Sequence, residues 1–132
     1  MGTFFDGDGD RVTVMIKILE EIAASGGQAT VTYSSLADQC AAELGLPFVN
    51  FSDPGERSAF SHLLGEVADE SFQTRGLILT AIVVYESDKM IGAGMRESLI
   101  RNGLLKRNSD EDAYLMSLFS QMERIWSTYR AR

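Results

Sequence analysis

The sequence predicts an α+β domain, mostly helical, built on a small two- or three-stranded sheet. Three observations carry this reading. Leu77 to Tyr85 is one long apolar run, entered through Arg75-Gly76 and left through the glycines at 92 and 94. The segments before and after it repeat apolar residues at three and four, the period of a helix. A single strand does not stand alone, so the run must be a spine on which the helices pack.

The elements follow in order. Residues 1–10 read as a loose N-terminal leader that ends in Asp6-Gly-Asp-Gly-Asp10, and residues 11–132 as a single domain. Asp8 or Asp10 can cap a first helix, whose apolar face is Met15, Ile18, Leu19, Ile22 and Ala23. Ser25-Gly26-Gly27 stops it. Gln28 to Tyr33 is β-prone. Ser35 and Asp38 form a capping box for a second helix, with Leu36, Cys40 and Leu44 on one face and Gly45 at its end. Phe48, Val49 and Phe51 fall in a loop, read as a plug under the core.

Asp53 and Pro54 open a third helix, with Glu56 in the box position. Its span is read as 53–70, with Phe60, Leu63, Leu64 and Val67 inward. The strand 77–85 is too apolar for simple alternation, so both of its faces should be covered. Ser87-Asp88-Lys89 turns the chain, and Met90 and Ile91 can form a brief return strand. A short helix around Leu99 and Ile100 stops at Gly103. Ser109 to Asp112 reads as another capping box. It opens the longest helix, 113–130, whose stripe is Leu115, Met116, Leu118, Phe119, Met122, Ile125, Trp126 and Tyr129. That stripe is wider than a small sheet can cover. It predicts packing against the first helix or a homodimer through helix 113–130.

Composition narrows the function classes. Of 132 residues, 45% are apolar and seven are phenylalanine, which argues against disorder. No apolar stretch is long enough for a membrane span. The N-terminus lacks the features of a signal peptide, and Asp6 stands where myristoylation wants Ser or Thr. One cysteine excludes an internal disulfide and suits a reducing, cytoplasmic setting. Net charge is −7 and unevenly spread: residues 1–70 hold twelve acids against three bases, residues 71–132 seven against nine. An acidic balance disfavours general nucleic-acid binding.

No catalytic set stands out, so the chain reads as non-enzymatic, without cofactor or metal. The Asp6-Asp8-Asp10 run resembles the start of a calcium loop, but Arg11 and Lys17 occupy positions that need glycine and a bidentate glutamate. His62 and Cys40 are conceivable as a nucleophile pair, yet Cys40 sits on an apolar stripe and no orienting third residue is evident. Gly92 and Gly94 fit a tight turn better than a phosphate loop. Arg96, Arg101, Lys106 and Arg107, with Arg124, Arg130 and Arg132, form the one basic concentration, and the first four a possible nucleic-acid contact. The third helix, by contrast, carries Asp53, Glu56, Glu66, Asp69 and Glu70 against one Arg57, the wrong sign for a phosphate backbone.

Helix, short strand, two helices, strand and glycine-containing hairpin is the order of a winged helix-turn-helix. Val31-Thr-Tyr-Ser-Ser-Leu-Ala-Asp38 resembles the start of that motif. It also looks like the Thr-Tyr-x-x-Leu-Ala opening of the DNA-binding half of alkyltransferase-like proteins. Their Pro-Cys-His-Arg motif is absent, so methyl transfer does not carry over. A longer stretch, Leu63-Leu-Gly-Glu-Val-Ala through Arg75-Gly-Leu-Ile-Leu-Thr-Ala-Ile-Val-Val84, then Gly92-Ala-Gly94 and Trp126, is similar to a group of small uncharacterised bacterial and phage proteins. Those share a Gly-Arg-x-Leu-Leu-Ser-Ala-Val-Val … Pro-Gly-x-Gly-Phe-Phe pattern. Here Ile91 replaces the proline and Met95 follows the second glycine. The resemblance implies a shared fold and no particular activity.

Three functional expectations follow. The first is a protein-binding module that uses an acidic face, with Phe48, Phe51, Glu56, Glu66, Asp69 and Glu70 as partner-binding residues. The second is a phage-type anti-defence inhibitor in which the acidic helix imitates nucleic acid. The third is a winged-helix DNA regulator that uses the C-terminal arginines and a wing at 86–92.

Overall fold

The structure, a computed structural model, describes residues 2–6, 9–85 and 94–130. Among them are five helices and two short strands: α1 (Arg11–Ala24), β1 (Val31–Thr32), α2 (Tyr33–Leu44), α3 (Pro54–Arg75), β2 (Val83–Val84), α4 (Gly94–Arg101) and α5 (Glu111–Arg130). The α+β class and its helical dominance hold. β1 and β2 pair in parallel, Val31 opposite Val83 and Thr32 opposite Val84. The return strand at Met90–Ile91, the wing at 86–92 and the Gly92 turn lie outside the described residues.

The run 77–85 is the spine but is not a nine-residue strand. Leu77 to Val84 is buried throughout, yet Leu79–Ile82 forms a 3-10 turn and only Val83 and Val84 pair as strand. The physical reason lies in the partner. β1 offers two residues before the chain turns into α2 at Tyr33, so a longer run has no ladder to join. Its remaining amides bond elsewhere. Ile78 N–H donates to Gln121 Oε1 at 3.0 Å, Leu79 N–H to Ser71 Oγ at 3.1 Å, and Ala81 N–H to the Ile78 carbonyl at 3.0 Å.

Helix starts follow backbone geometry more than side-chain pattern. Asp10 caps α1 through Thr13 N–H, and Asp53 caps α3 through Gly55 N–H, both as expected. α2 begins earlier than the Ser35–Asp38 box implies. Thr32 already has the extended backbone a cap needs and accepts from Ser35 N–H. At α5 the cap is Asp110, which accepts from Ala113 N–H, and not Ser109. Glu56 accepts from Asn50 N–H, so it ties the preceding loop down and does not close a box on Asp53. α3 runs on to Arg75 and ends on Gly76 at φ 71°, a left-handed residue that glycine adopts without strain.

The N-terminal segment is not a loose leader at Phe4. That side chain is fully buried, edge-on to Phe60 with centroids 6.4 Å apart. Arg11 fastens it by donating from Nε and Nη2 to the Phe4 carbonyl. Phe51 also packs edge-on to Phe60, at 5.3 Å. Three phenylalanines distant in sequence thus meet over α3.

α5 packs along α1, the 3-10 turn and α4. Leu118, Ile125, Trp126 and Tyr129 are buried within the chain, so the intrachain partner takes most of the stripe. Trp126 Nε1 donates to the Ala29 carbonyl at 2.9 Å. Among the described residues, no helix is long and apolar enough to cross a membrane.

Candidate functional site

The acidic residues singled out on α3 divide by geometry. Buried Phe60, Leu63, Leu64, Val67 and Ala68 fix which side of the helix faces inward. Glu66 and Glu70 then fall on the solvent side and are exposed. Asp69 is drawn into the fold. It accepts from Arg101 Nε and Nη2 and from Asn102 Nδ2, all at 3.0–3.1 Å, and so ties α3 to α4. Glu56 is half-buried and engaged with Asn50. The acidic surface is therefore narrower than the sequence implies.

The loop aromatics also divide. Phe51 joins the core, as does Val49, but Phe48 is 65% exposed. The plug reading holds for two of the three residues and fails for Phe48. The spacing explains the split, because in extended chain residues 48 and 50 face away when 49 and 51 face in.

The arginines expected to form a basic contact are occupied by carboxylates of the same chain. Arg96 meets Glu111 at 3.0 Å and lies over the Tyr114 ring at 4.6 Å. Arg101 meets Asp69 and Arg107 meets Glu97, each at 3.0 Å. The Arg107 guanidinium holds the Glu97 carboxyl below the usual glutamate range. Lys106 is exposed. No signal in the linear pattern announced these pairings, because each acid lies ten or more positions from its arginine and the fold alone brings them together. The fourth such pair, Arg75 with Glu20, joins the end of α3 to α1.

His62 and Cys40 are not a pair. Cys40 is fully buried, and burial pushes its thiol up to about 11, so it stays protonated and unreactive. The His62 side chain is 83% exposed and sits 3.5 Å from Glu66, one turn on. Both border an open groove of about 520 Å³ between the N-terminal segment and α3, with Phe5, Arg11 and Ser58. Among the described residues no hydrogen bond joins Ser58 to His62, and no group of three or more His, Cys, Asp or Glu could hold a metal ion. Asp6 and Asp10 serve as local caps for Thr3 and Thr13, while Asp8 lies outside the described residues.

No protein-family model matches this chain, and no curated protein or solved structure is similar to it. Of the α5 stripe that the sequence reads as too wide for a small sheet to cover, Met116 and Phe119 are the members left exposed. Leu115, Met116, Leu118, Phe119 and Met122 spread over nearly half of the helix circumference, wider than the stripe of about 100° that one packing face needs.

Proposed function

We propose that this chain is a non-enzymatic protein-binding module that presents the acidic outer face of α3, with Phe48 nearby in sequence as an apolar anchor, to a basic partner. One observation carries the reading. Arg96, Arg101 and Arg107 are each paired with a carboxylate of the same chain, while Glu66 and Glu70 stand exposed. Paired arginines have little left to offer phosphates, and exposed carboxylates attract basic surfaces. The test is capture of partners from the host by the native chain and by Glu66→Lys with Glu70→Lys. Asp69 is left intact because it links α3 to α4. The same captured set for both proteins would remove the acidic-face argument.

A second reading is favoured by the length of α3, 22 residues with an acid-bearing outer side. In it the helix enters a nucleic-acid channel of a basic nuclease and imitates phosphate charge, as in a phage-type anti-defence inhibitor. Binding that does not weaken with salt would count against it. A winged-helix DNA regulator stands third, with the wing that the sequence leads one to expect at 86–92 outside the described residues. No gel shift with random or promoter DNA at low salt would end it.

A further inference from the structure

α5 carries a second surface, on a different helix from the acidic face of α3. Its inner side is buried, but Met116 and Phe119, one turn apart, are 74% and 56% exposed. Asp112 lies one turn before Met116, and Glu123 one turn after Phe119, and both are exposed. Spacings of four, three and four place these residues on one stripe. Along the helix the stripe therefore runs acid, methionine, phenylalanine, acid.

We propose that this stripe docks a basic amphipathic helix of another protein. The visitor's apolar side chains would cover Met116 and Phe119, and its lysines or arginines would meet Asp112 and Glu123. Methionine suits such a surface because its flexible thioether adapts to the shape of the occupant.

Charge decides against a second copy of this chain. Two α5 helices paired antiparallel, with Met116 of each on Phe119 of the other, set Asp112 against Glu123. Paired in parallel, each acid faces its own equivalent. Like charges so placed repel. A register that brings Asp112 to Arg130 sets Glu123 on Phe119 and buries a carboxylate against an apolar ring. An anionic membrane surface has the wrong sign for the same reason.

The test is calorimetric titration of the full chain with a synthetic helix of about 14 residues, leucines along one face and lysines elsewhere. A second peptide of equal composition has its leucines scattered. The patterned peptide should bind, and the scattered one at least about tenfold more weakly. Met116→Ser with Phe119→Ser should lose at least about tenfold for the patterned peptide, with an unchanged thermal melt because both sites are exposed. Asp112→Asn with Glu123→Gln should flatten the salt dependence. Equal binding of the two peptides, no binding of either, or undiminished binding by the serine pair would overturn the proposal. So would sedimentation showing the native chain as a dimer that the serine pair dissociates.

Discussion

Gln121 on α5 accepts the backbone N–H of Ile78 at 3.0 Å, and both residues are buried. This bond is where the longest helix meets the spine. The run after Gly76 has lost the sheet partner that would have satisfied its amides, and a side chain from the far end of the sequence replaces it. Ser71 does the same for Leu79 from α3.

Replacing Gln121 by leucine should therefore destabilise the fold although it makes the core more apolar. The Ile78 N–H would be left buried and unpaired, at a cost of about 1–3 kcal/mol. Ser71→Ala removes the acceptor for Leu79 and should cost a similar amount. Urea unfolding followed by circular dichroism measures both. A Gln121→Leu protein as stable as the native one would show that the amide finds another acceptor.

A second prediction separates the observed cap of α2 from the one the sequence suggests. Thr32 Oγ1 accepts from Ser35 N–H, whereas the Ser35 hydroxyl is on the first turn and accepts from the Gln39 side chain. Thr32→Ala should cost about 1 kcal/mol, and Ser35→Ala a few tenths at most, as for an exposed i, i+4 pair. Thermal melts of the two variants give the comparison, and the reverse order would place the cap at Ser35.

These cases show how far the sequence could be read. Helices were legible because apolar spacing reports a buried face, and α1, α3 and α5 fall near where Met15, Phe60 and Trp126 suggest. The spine was legible as buried but not as a turn. An apolar run records burial on all sides, and whether it pairs as strand depends on how many residues β1 can offer. The helix starts slipped because Thr32 and Asp110 cap through backbone geometry that neighbouring serines obscure. Phe48 reads as a core plug and is exposed, whereas on the surface Glu66 and Glu70 were readable as exposed. The withdrawal of Asp69 was not, because Arg101 reaches it across a fold that local pattern does not encode.

The third prediction concerns Cys40. Its thiol is pushed up to about 11, mainly by burial, with Glu43 adding to the rise and Arg11 opposing it. A thiol whose value is raised by folding stays protonated in the native state while the unfolded thiol ionises. Stability from this group is thus intact at neutral pH and falls as pH rises from the usual cysteine range towards about 11. Alkylation by iodoacetamide at pH 8 should be slow in the folded chain and fast in urea. Cys40→Ala should remove this part of the alkaline loss. Rapid modification of the native protein would show that the α1–α2 contact opens readily.

The last prediction turns on Trp126, the residue that an α5 homodimer would place at its interface. Trp126 is 6% exposed, and its indole N–H donates to the Ala29 carbonyl just before β1. Its neighbours on the stripe, Ile125 and Tyr129, are buried within the same chain, and Tyr129 Oη donates to Glu20 on α1. Trp126→Arg therefore inserts a charge between α5 and the rest of the fold, and a buried charge with no partner costs several kcal/mol, about 3 or more. The expected outcome is a chain that is largely unfolded at 37 °C or insoluble, not a well-folded monomer. Trp126→Phe removes the donor to the Ala29 carbonyl and leaves part of the indole's space empty without inserting a charge, and should cost about 1–3 kcal/mol. Circular dichroism melts and native mass measurement of both variants decide the matter. A Trp126→Arg chain that melts like the native protein and differs only in going from dimer to monomer would place this indole at an interface between two copies.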